Sequence, residues 1–202
     1  SLHNGLVLRH GDGSFCLGTD SMLLAHFAAP FCTGRVADLG AGSGALGLLL
    51  CAANERCTVT GIELDPAAQE IALKNIETSG LSERIRSILG DVREIRMLFP
   101  AGSFDAVVSN PPYFPVGSGR ESTAAAAARS ERTLKLSQLC AAAAWLLPSG
   151  GRFALVHRPE RLCDIFCALR EHGLEPKRLQ FVRHTAVSPV CLVLIEARRG
   201  GK

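Results

Sequence analysis

The chain has 202 residues, the size of one domain that can bury its own hydrophobic core. Hydrophobic residues make up 47% and charged residues 20% of the sequence, a composition that excludes an intrinsically disordered ground state. The net charge of +3 is compatible with an acidic partner such as nucleic acid, but it does not by itself indicate one.

No segment of the sequence has the pattern of a signal peptide or a membrane helix. The first residues lack a basic region followed by an apolar stretch. The longest apolar run, around 45–53, is about half the length that a membrane helix needs, and it contains Gly47. We therefore expect a cytoplasmic protein that does not contact a membrane.

The eight cysteines do not form a recognisable metal or disulfide motif. No pair has the C-x2-C spacing of a zinc knuckle or a redox site. Cys163 and Cys167 stand four residues apart on one face of a predicted helix, a spacing that in principle can bind a metal. We interpret the cysteines as small core residues in a reducing compartment, and we expect no metal site.

Short apolar strands alternate with helical patterns along the first half of the chain. Asp65 and Pro66 have the pattern of a helix N-cap and first helical residue, and Gly80 ends that helix. Two prolines after Asn110 end the fourth strand, because proline cannot join a central ladder. The predicted strands of this half are Arg35–Leu39, Thr58–Glu63, 84–89 and 104–109, and the predicted helices are 45–54 and 66–80.

The second half continues this alternation and ends in two strands. A Gly-, Ser- and Ala-rich loop separates the fourth strand from the next helix, and Gly173 has the pattern of a helix C-cap. The last two strands have no helix between them, so we expect them to be antiparallel. The predicted segments are a loop over 113–129, a helix over 134–147, a strand at Arg152–His157, a helix over 159–172, and strands over 177–183 and 190–197.

This order of elements predicts an α/β protein. Strand–helix repeats form parallel sheets whose right-handed crossovers place helices on both faces. We therefore predict a doubly wound, mostly parallel sheet in which the last strand is antiparallel. The prediction treats residues 1–202 as a single domain, with residues 1–30 as an N-terminal cap.

Three glycines follow the first strand, in the segment 38–44 with the sequence Asp-Leu-Gly-Ala-Gly-Ser-Gly. Glycines let the backbone pass closely under a ligand and turn into a helix whose free N–H groups suit an anion. The segment also fits the loose fingerprint G-x-G-x-x-A, so the loop alone leaves a nicotinamide dinucleotide open. Asp38 favours a different cofactor, because a carboxylate two residues before the first glycine suits an ammonium group better than a pyrophosphate.

Two further carboxylates follow the second and third strands. Glu63 lies about twenty residues beyond the glycine loop, where its two oxygens can accept from both hydroxyls of a ribose. A ribose is common to dinucleotides and S-adenosylmethionine, so Glu63 does not distinguish them. Asp91 is predicted to accept from the exocyclic amine of a cofactor adenine, and the alternative is an N-cap for a helix over 92–98.

The segment Asn110-Pro111-Pro112-Tyr113 is the most specific signal in the chain. Two prolines after a strand fix the backbone, so the Asn side chain and nearby carbonyls point in set directions. Their oxygens can accept hydrogen bonds from both hydrogens of a planar NH2 group. These bonds favour a pyramidal nitrogen, and the effect grows as the nitrogen becomes positive in the transition state. Tyr113 offers a flat face on which a base or an amide can stack.

Together these motifs resemble the class I S-adenosylmethionine-dependent methyltransferases that act on amino groups. The resemblance rests on the order and spacing of 38–44, Glu63, Gly90-Asp91 and 110–113. Other segments resemble the bacterial tRNA(Val) adenine-N6 methyltransferase family, namely Phe15-x-x-Gly18-Thr19-Asp20-x-x-Leu23-Leu24, Ala128-Arg129-x-Glu131 and 157–162.

This resemblance implies a Rossmann-like sheet of seven strands, S-adenosylmethionine as the cofactor, and the N6 amine of the adenine beside a tRNA anticodon as the acceptor. The cofactor-binding residues that it implies are Asp38, Gly40, Ala41, Gly42, Gly44, Glu63, Leu64, Asp91, Val92 and Asn110. The catalytic residues that it implies are Asn110, Pro111, Pro112 and Tyr113. Tyr113 and Arg129 are the candidate substrate-binding residues.

Other acceptors share the same amine chemistry. A glutamine amide of a protein, or another RNA or DNA base amine, would be held by the same four residues. Enzymes for glutamine usually carry an N-terminal helical domain, whereas residues 1–34 alone precede the first strand here, which favours RNA. Basic residues around the loop are candidates for phosphate contacts, and they are Arg120, Arg129, Arg132 and Lys135.

Two other classes of function explain less of the sequence. A nicotinamide-dependent oxidoreductase accounts for the glycine loop but not for Asn110 and the prolines after it. A non-enzymatic RNA-binding module accounts for neither Asp38 nor Glu63. We therefore expect an adenine-N6 methyltransferase whose partner is tRNA, and a monomer is compatible with these features.

Overall fold

The architecture is a seven-stranded sheet with helices on both faces. A computed structural model describes residues 18–111 and 134–201 of the chain. The strands are β1 Arg35–Leu39, β2 Thr58–Glu63, β3 Ile85–Leu89, β4 Ala106–Ser109, β5 Arg152–His157, β6 Leu174–Arg183 and β7 Val190–Arg199. The helices are α1 Thr19–Ala28, α2 Ala45–Ala53, α3 Pro66–Thr78, α4 Ile95–Leu98, α5 Leu136–Leu146 and α6 Leu162–Glu171, with 3₁₀ turns at Val92–Glu94 and Pro159–Arg161.

The strand order is β3-β2-β1-β4-β5-β7-β6. The first five strands of this order pair in parallel, and β7 pairs antiparallel with both β5 and β6. The predicted doubly wound sheet with an antiparallel last strand is therefore confirmed. The strand order reverses between β1 and β4, and in such sheets ligands bind at the carboxyl ends beside that switch point.

Two hydrophobic cores cover the two faces of the sheet, because side chains along each strand alternate between them. One core contains Ala37, Leu39 and Val107 and packs beneath α4, α5 and α6. The other contains Val36 and Val108 and packs beneath α1 and α2 and against Ile76 of α3. The helix α1 therefore lies on the sheet face itself, although it precedes the first strand.

The predicted helix signals of α3 are confirmed. The Asp65 side chain accepts from the backbone N–H of Ala67, Pro66 takes the first helical position, and Gly80 has a φ of 66° after the helix. The predicted start of β6 was three residues late. Pro176 obscured it, and the strand tolerates that proline because β6 is an edge strand with a bulge between Pro176 and Arg178.

The prediction that the cysteines are core residues is partly wrong. Four described cysteines are buried, but Cys163 and Cys167 are exposed and Cys191 is half-buried. The helix α6 buries Ile165, Ala168 and Leu169, which leaves Cys163 and Cys167 on its solvent side. Cys16 lies outside the described residues.

Within 18–111 and 134–201, no three His, Cys, Asp or Glu side chains converge as a metal site requires. No helix in the described part of the chain is long and apolar enough to cross a bilayer. The single-domain assignment and the N-terminal cap over 1–30 stay predictions. Of that cap, residues 18–30 are described, and they contain α1.

Candidate active site

The sequence-predicted residues that the structure describes gather at the carboxyl edge of the strands β1 to β4. Asp38 and the glycine loop end β1, Glu63 ends β2, Asp91 follows β3, and Asn110 follows β4. Since neighbouring strands lie about 5 Å apart, parallel pairing alone brings these segments together. Pro112, Tyr113 and Arg129 lie outside the described residues, so their roles stay predictions.

The glycine loop, residues 40–44, has a backbone that side chains would strain. Gly40, Gly42 and Gly44 all have positive φ, at 77°, 54° and 78°, a region in which residues with a Cβ are disfavoured. The N–H groups of Gly40 and Ala41 both donate to the carbonyl of Ile62, at 2.9 and 3.1 Å. The loop is therefore bonded directly to the end of β2.

A fourth glycine, which was not predicted to matter, makes room for this loop. Gly61 lies on β2 beside Asp38 in the register. A Cβ at Gly61 would lie 2.8 Å from the Cβ of Ala41, far inside van der Waals contact. The absent side chain thus lets the loop lie on the sheet.

Glu63 ties the glycine loop to the start of α3. Its Oε2 accepts from the N–H of Gly42 at 2.7 Å, and its Oε1 accepts from the N–H of Asp65 at 2.9 Å. Both oxygens are therefore held in set positions at the end of β2. Leu64, the next residue, is exposed and offers an apolar surface beside them.

Asp38 is a buried carboxylate with an unpaired oxygen. Its side chain is 2% exposed, and Oδ2 has no hydrogen-bond partner among the described residues. Burial first, and the charge of Glu63 second, raise the pKa of Asp38 to about 7. A buried carboxylate without a donor is destabilised, so this group gains from a cationic donor placed against it.

A second buried polar atom without a partner among the described residues, the Oγ of Ser87, lies two strands away from the unpaired oxygen of Asp38. Asp38, Gly61 and Ser87 are neighbours in the register of β1, β2 and β3, and all three line one small cavity beneath the glycine loop. The two polar side chains flank Gly61, which has no side chain of its own to lie between them.

Asp91 caps the 3₁₀ turn that follows β3, which is the alternative role that its sequence context allowed. It accepts from the N–H of Arg93 at 2.8 Å, and the Arg93 guanidinium bonds both carboxylate oxygens. This hydrogen-bonded ion pair lowers the pKa of Asp91. The predicted contact with a cofactor adenine is not tested by this geometry. Val92 beside it is buried.

Asn110 is held by a residue near the start of the described chain. Its Nδ2 donates to the Oγ of Ser21 on α1 at 3.0 Å. The preceding residue, Ser109, donates from Oγ to the carbonyl of Leu39 at 2.7 Å, which ties the end of β4 to the end of β1. Pro111 is buried after them, so the Asn110 backbone is fixed on both sides.

Ser21 and Ser109 were missed by the sequence-based site prediction. Ser21 directly follows Gly18-Thr19-Asp20, which served only as a family signature, and that proximity was the available signal. Ser109 was assigned to the strand, where a serine carries no signal of its own. Each forms one hydroxyl hydrogen bond to a residue far away in the sequence, Ser21 to Asn110 and Ser109 to Leu39. The spacing of residues along the chain does not predict such pairs.

The chain matches the family model of the methyltransferase small domain over residues 12–165. A tRNA1(Val) (adenine(37)-N6)-methyltransferase of Porphyromonas gingivalis is 35% identical over 173 residues, which are 83% of this chain and 68% of that protein. The enzyme with the same name from Photobacterium profundum is 31% identical over 192 residues, or 93% and 80% of the two chains. In structure, the chain resembles a predicted O-methyltransferase of Agrobacterium tumefaciens with a TM-score of 0.72, 26% identity, and 91% and 82% coverage.

The glycine loop after β1, the carboxylates after β1 and β2, and Asn110 after β4 thus occur in a chain that the family model and these relatives both match. The family model spans residues 12–165 and so includes every described site segment. The chain belongs to the methyltransferase small domain family of S-adenosylmethionine-dependent enzymes, together with the bacterial tRNA1(Val) (adenine(37)-N6)-methyltransferases.

Proposed function

We propose that this protein transfers a methyl group from S-adenosylmethionine to the exocyclic N6 amine of an adenine in the anticodon-loop region of a tRNA. The observation that carries the proposal is the position of Asn110, whose amide is fixed at the end of β4, directly beside the glycine loop at the end of β1. A methyl acceptor held by Asn110 therefore lies next to a cofactor held by the loop.

The residues at the cofactor side fit S-adenosylmethionine. Asp38 offers an unpaired buried carboxylate for the ammonium of the methionine moiety, and the fixed oxygens of Glu63 suit ribose hydroxyls. The cofactor supplies an electrophilic methyl group on a sulfonium centre. At Gly40, Gly42 and Gly44 the loop has no side chain, so its backbone can approach the cofactor closely at these positions.

The residues at the acceptor side fit a planar amine. The nitrogen lone pair of adenine N6 is delocalised into the ring, and acceptors for both of its hydrogens favour the pyramidal form. The carbonyl oxygen of the Asn110 side chain, together with a nearby backbone carbonyl, provides these acceptors. No strong base is needed, since the extra proton can leave after methyl transfer. Tyr113 is proposed to stack on the base, and Arg129 to contact the RNA.

A tRNA loop is the acceptor that the relatives support. The relatives from Porphyromonas gingivalis and Photobacterium profundum carry the name tRNA1(Val) (adenine(37)-N6)-methyltransferase and align with 83% and 93% of this chain. A loop base is also less costly to unstack than a base in a duplex. Since tRNA is cytoplasmic, we propose the cytoplasm as the compartment.

The test is a methylation assay with labelled S-adenosylmethionine. We expect label in an unmodified transcript of tRNA1(Val), and we expect N6-methyladenine after nuclease digestion and mass spectrometry. A transcript in which guanine replaces adenine 37 is the matched control and should stay unlabelled. Label in bacterial protein extract, recovered as methylglutamine, with none in either transcript would overturn the proposal and favour the glutamine-amide alternative.

A further inference from the structure

The hydrogen bond between Ser21 and Asn110 joins segments 89 residues apart in the sequence. It is the contact by which α1 reaches the candidate active site. Both side chains are partly buried, so water competes with the bond less than it would on an open surface. Ser21 lies in the first turn of α1, and its N–H donates to the carbonyl of Gly18 at 3.1 Å.

In the structure this bond is made by the NH2 end of the Asn110 amide. A carboxamide has a carbonyl that accepts and an NH2 group that donates, and a half-turn exchanges them. With its Nδ2 bonded to Ser21, the amide presents its Oδ1 on the other side. The opposite orientation would place two NH2 groups against each other, and the acceptor nitrogen would not be activated.

The helix that carries Ser21 is clamped at its far end. Glu196 of β7 is buried and accepts from Arg152 and from Arg178, both at 3.1 Å. The guanidinium of Arg178 also donates to the carbonyl of Phe27 and lies 3.8 Å from the centroid of the Phe27 ring. We call Glu196, Arg152 and Arg178 the Glu196 clamp.

The middle of α1 is fixed by packing. Leu24, Ala25, Phe27 and Ala28 are all buried in the core that includes Val108 and Val156 of the sheet. A helix with such a buried face and a clamped end has little freedom to slide or rotate. Ser21 is therefore presented to Asn110 by a rigid element.

We propose that Ser21 is a positioning residue for methyl transfer: its hydroxyl holds the Asn110 side chain through Nδ2, with Oδ1 at the opposite side of the amide, where it accepts from the acceptor amine. The inference rests on the proposed function in one respect only, the use of Asn110 to hold an amine. It adds α1, outside the strand–helix repeat, to the parts of the chain that set the reaction rate.

The test compares Ser21→Thr with Ser21→Val, since these variants have nearly the same shape and differ by the hydroxyl. We expect Ser21→Thr to keep kcat within about threefold of the wild type. We expect Ser21→Val and Ser21→Ala to lower kcat by about ten- to a hundredfold, because small misplacements of reacting groups have effects of this size. The KM for the acceptor and the Kd for S-adenosylmethionine should stay within about twofold, since groups that act mainly in the transition state change kcat.

His26→Ala, at an exposed position on the same helix, is the matched control and should leave kcat and both binding constants unchanged. Equal kcat for Ser21→Thr and Ser21→Val would overturn the inference, because shape rather than the hydroxyl would then matter. A parallel rise in the Kd for S-adenosylmethionine would also overturn it and indicate a general structural role.

The result is distinguishable from a failure of the proposed function. If the wild type methylates a glutamine amide instead of adenine, the function proposed above is wrong. The same variants can then be compared with that acceptor, because the amide of glutamine needs the same oxygen of Asn110. A difference between Ser21→Thr and Ser21→Val in that assay would still support the role of Ser21.

Discussion

The two sides of the candidate active site are built in different ways. The cofactor side, at the ends of β1 to β3, is joined by bonds between consecutive strand–helix segments, such as that between Glu63 and Gly42, 21 residues apart. The acceptor side, at the end of β4, depends on Ser21, 89 residues from Asn110. On the first side a carboxylate bonds to the backbone of the glycine loop, whereas on the second side Asn110 bonds to a side chain on a separate helix.

This difference has a physical consequence for what each side tolerates. Glycines with positive φ and backbone N–H groups hold the cofactor side, so changes there act through strain and burial. The acceptor side is held by hydrogen bonds of single side chains, so changes there should alter the rate of transfer and leave cofactor binding intact. The predictions below use this separation, from the largest effect to the smallest.

The largest effect is expected for Asn110→Ala. The substitution removes the oxygen proposed to accept from the amine in the transition state, and loss of one such group typically lowers kcat by about a hundred- to a thousandfold. Isothermal titration should give a Kd for S-adenosylmethionine within about twofold of the wild type. An equal loss of cofactor affinity would show that the two sides are not separable.

Asp38→Asn is expected to separate stability from cofactor binding. In the proposed site the ionised carboxylate pairs with the cofactor ammonium, so its loss should raise the Kd for S-adenosylmethionine by roughly 10- to 100-fold. Without cofactor the variant should be more stable at pH 8, by up to roughly 4 kcal/mol, because a buried charge with a pKa of about 7 is removed.

The pH dependence of the stability gained by Asp38→Asn provides the control for this prediction. The pKa of Asp38 is higher in the folded state than in the unfolded state, so its stabilising contribution is full below about pH 4 and is lost as pH rises through about 7. Urea unfolding of both proteins should therefore show a gain for Asp38→Asn that is small near pH 4 and largest above pH 7. A gain that does not change with pH would contradict the assigned cause.

Gly61→Ala tests the space beneath the glycine loop. The added methyl group would lie 2.8 Å from the Cβ of Ala41, so the loop must shift, at about 1–3 kcal/mol. We expect roughly tenfold weaker binding of S-adenosylmethionine with kcat at saturation little changed. Gly173→Ala is the control. The φ of Gly173 is 70°, and an added Cβ would have no described atom within 4 Å apart from its chain neighbours, so this variant should lower the melting temperature without changing cofactor affinity.

The smallest effect is expected for Glu196→Gln. This substitution keeps the shape of the Glu196 clamp but removes the charge that both arginines share, and these arginines are partly exposed, so we expect a loss of about 1 kcal/mol in the free energy of unfolding. Through α1 it should lower kcat a few-fold and leave the Kd for S-adenosylmethionine unchanged. Glu83→Gln, at an exposed position, is the control. A change in cofactor affinity but not in kcat would contradict the assigned path.

The sequence was sufficient to predict the sheet and to place the glycine loop and Glu63 at one edge of it. Alternating strands and helices predict the parallel order, and the segment 38–44 with Glu63 is local enough for its spacing to define a binding edge. Asp91 shows where spacing stops being sufficient, because a carboxylate after a strand can cap a turn as well as bind a ligand. Its bonds to Arg93 are visible only in three dimensions.

The contacts of α1 were beyond a sequence-based prediction for a different reason. Its packing on the sheet involves residues of β5 and β7, and no periodic pattern links segments so far apart. The buried Glu196 was not singled out either, since a lone charged residue in a strand predicts exposure unless its partners are known. Gly61 was also missed, because its role is to leave space.

The clamp between α1 and the last strands bears on the order in which the protein becomes competent during synthesis. A growing chain exposes α1 first, whereas the surface that holds it is completed only when β7 and Glu196 have emerged. Before that point β1 to β3 have already been synthesised, but the surface against which α1 packs when Ser21 contacts Asn110 is incomplete. If Ser21 positions Asn110 as proposed, unfinished chains lack an aligned acceptor side, and we expect methyl transfer only once β7 has joined the sheet.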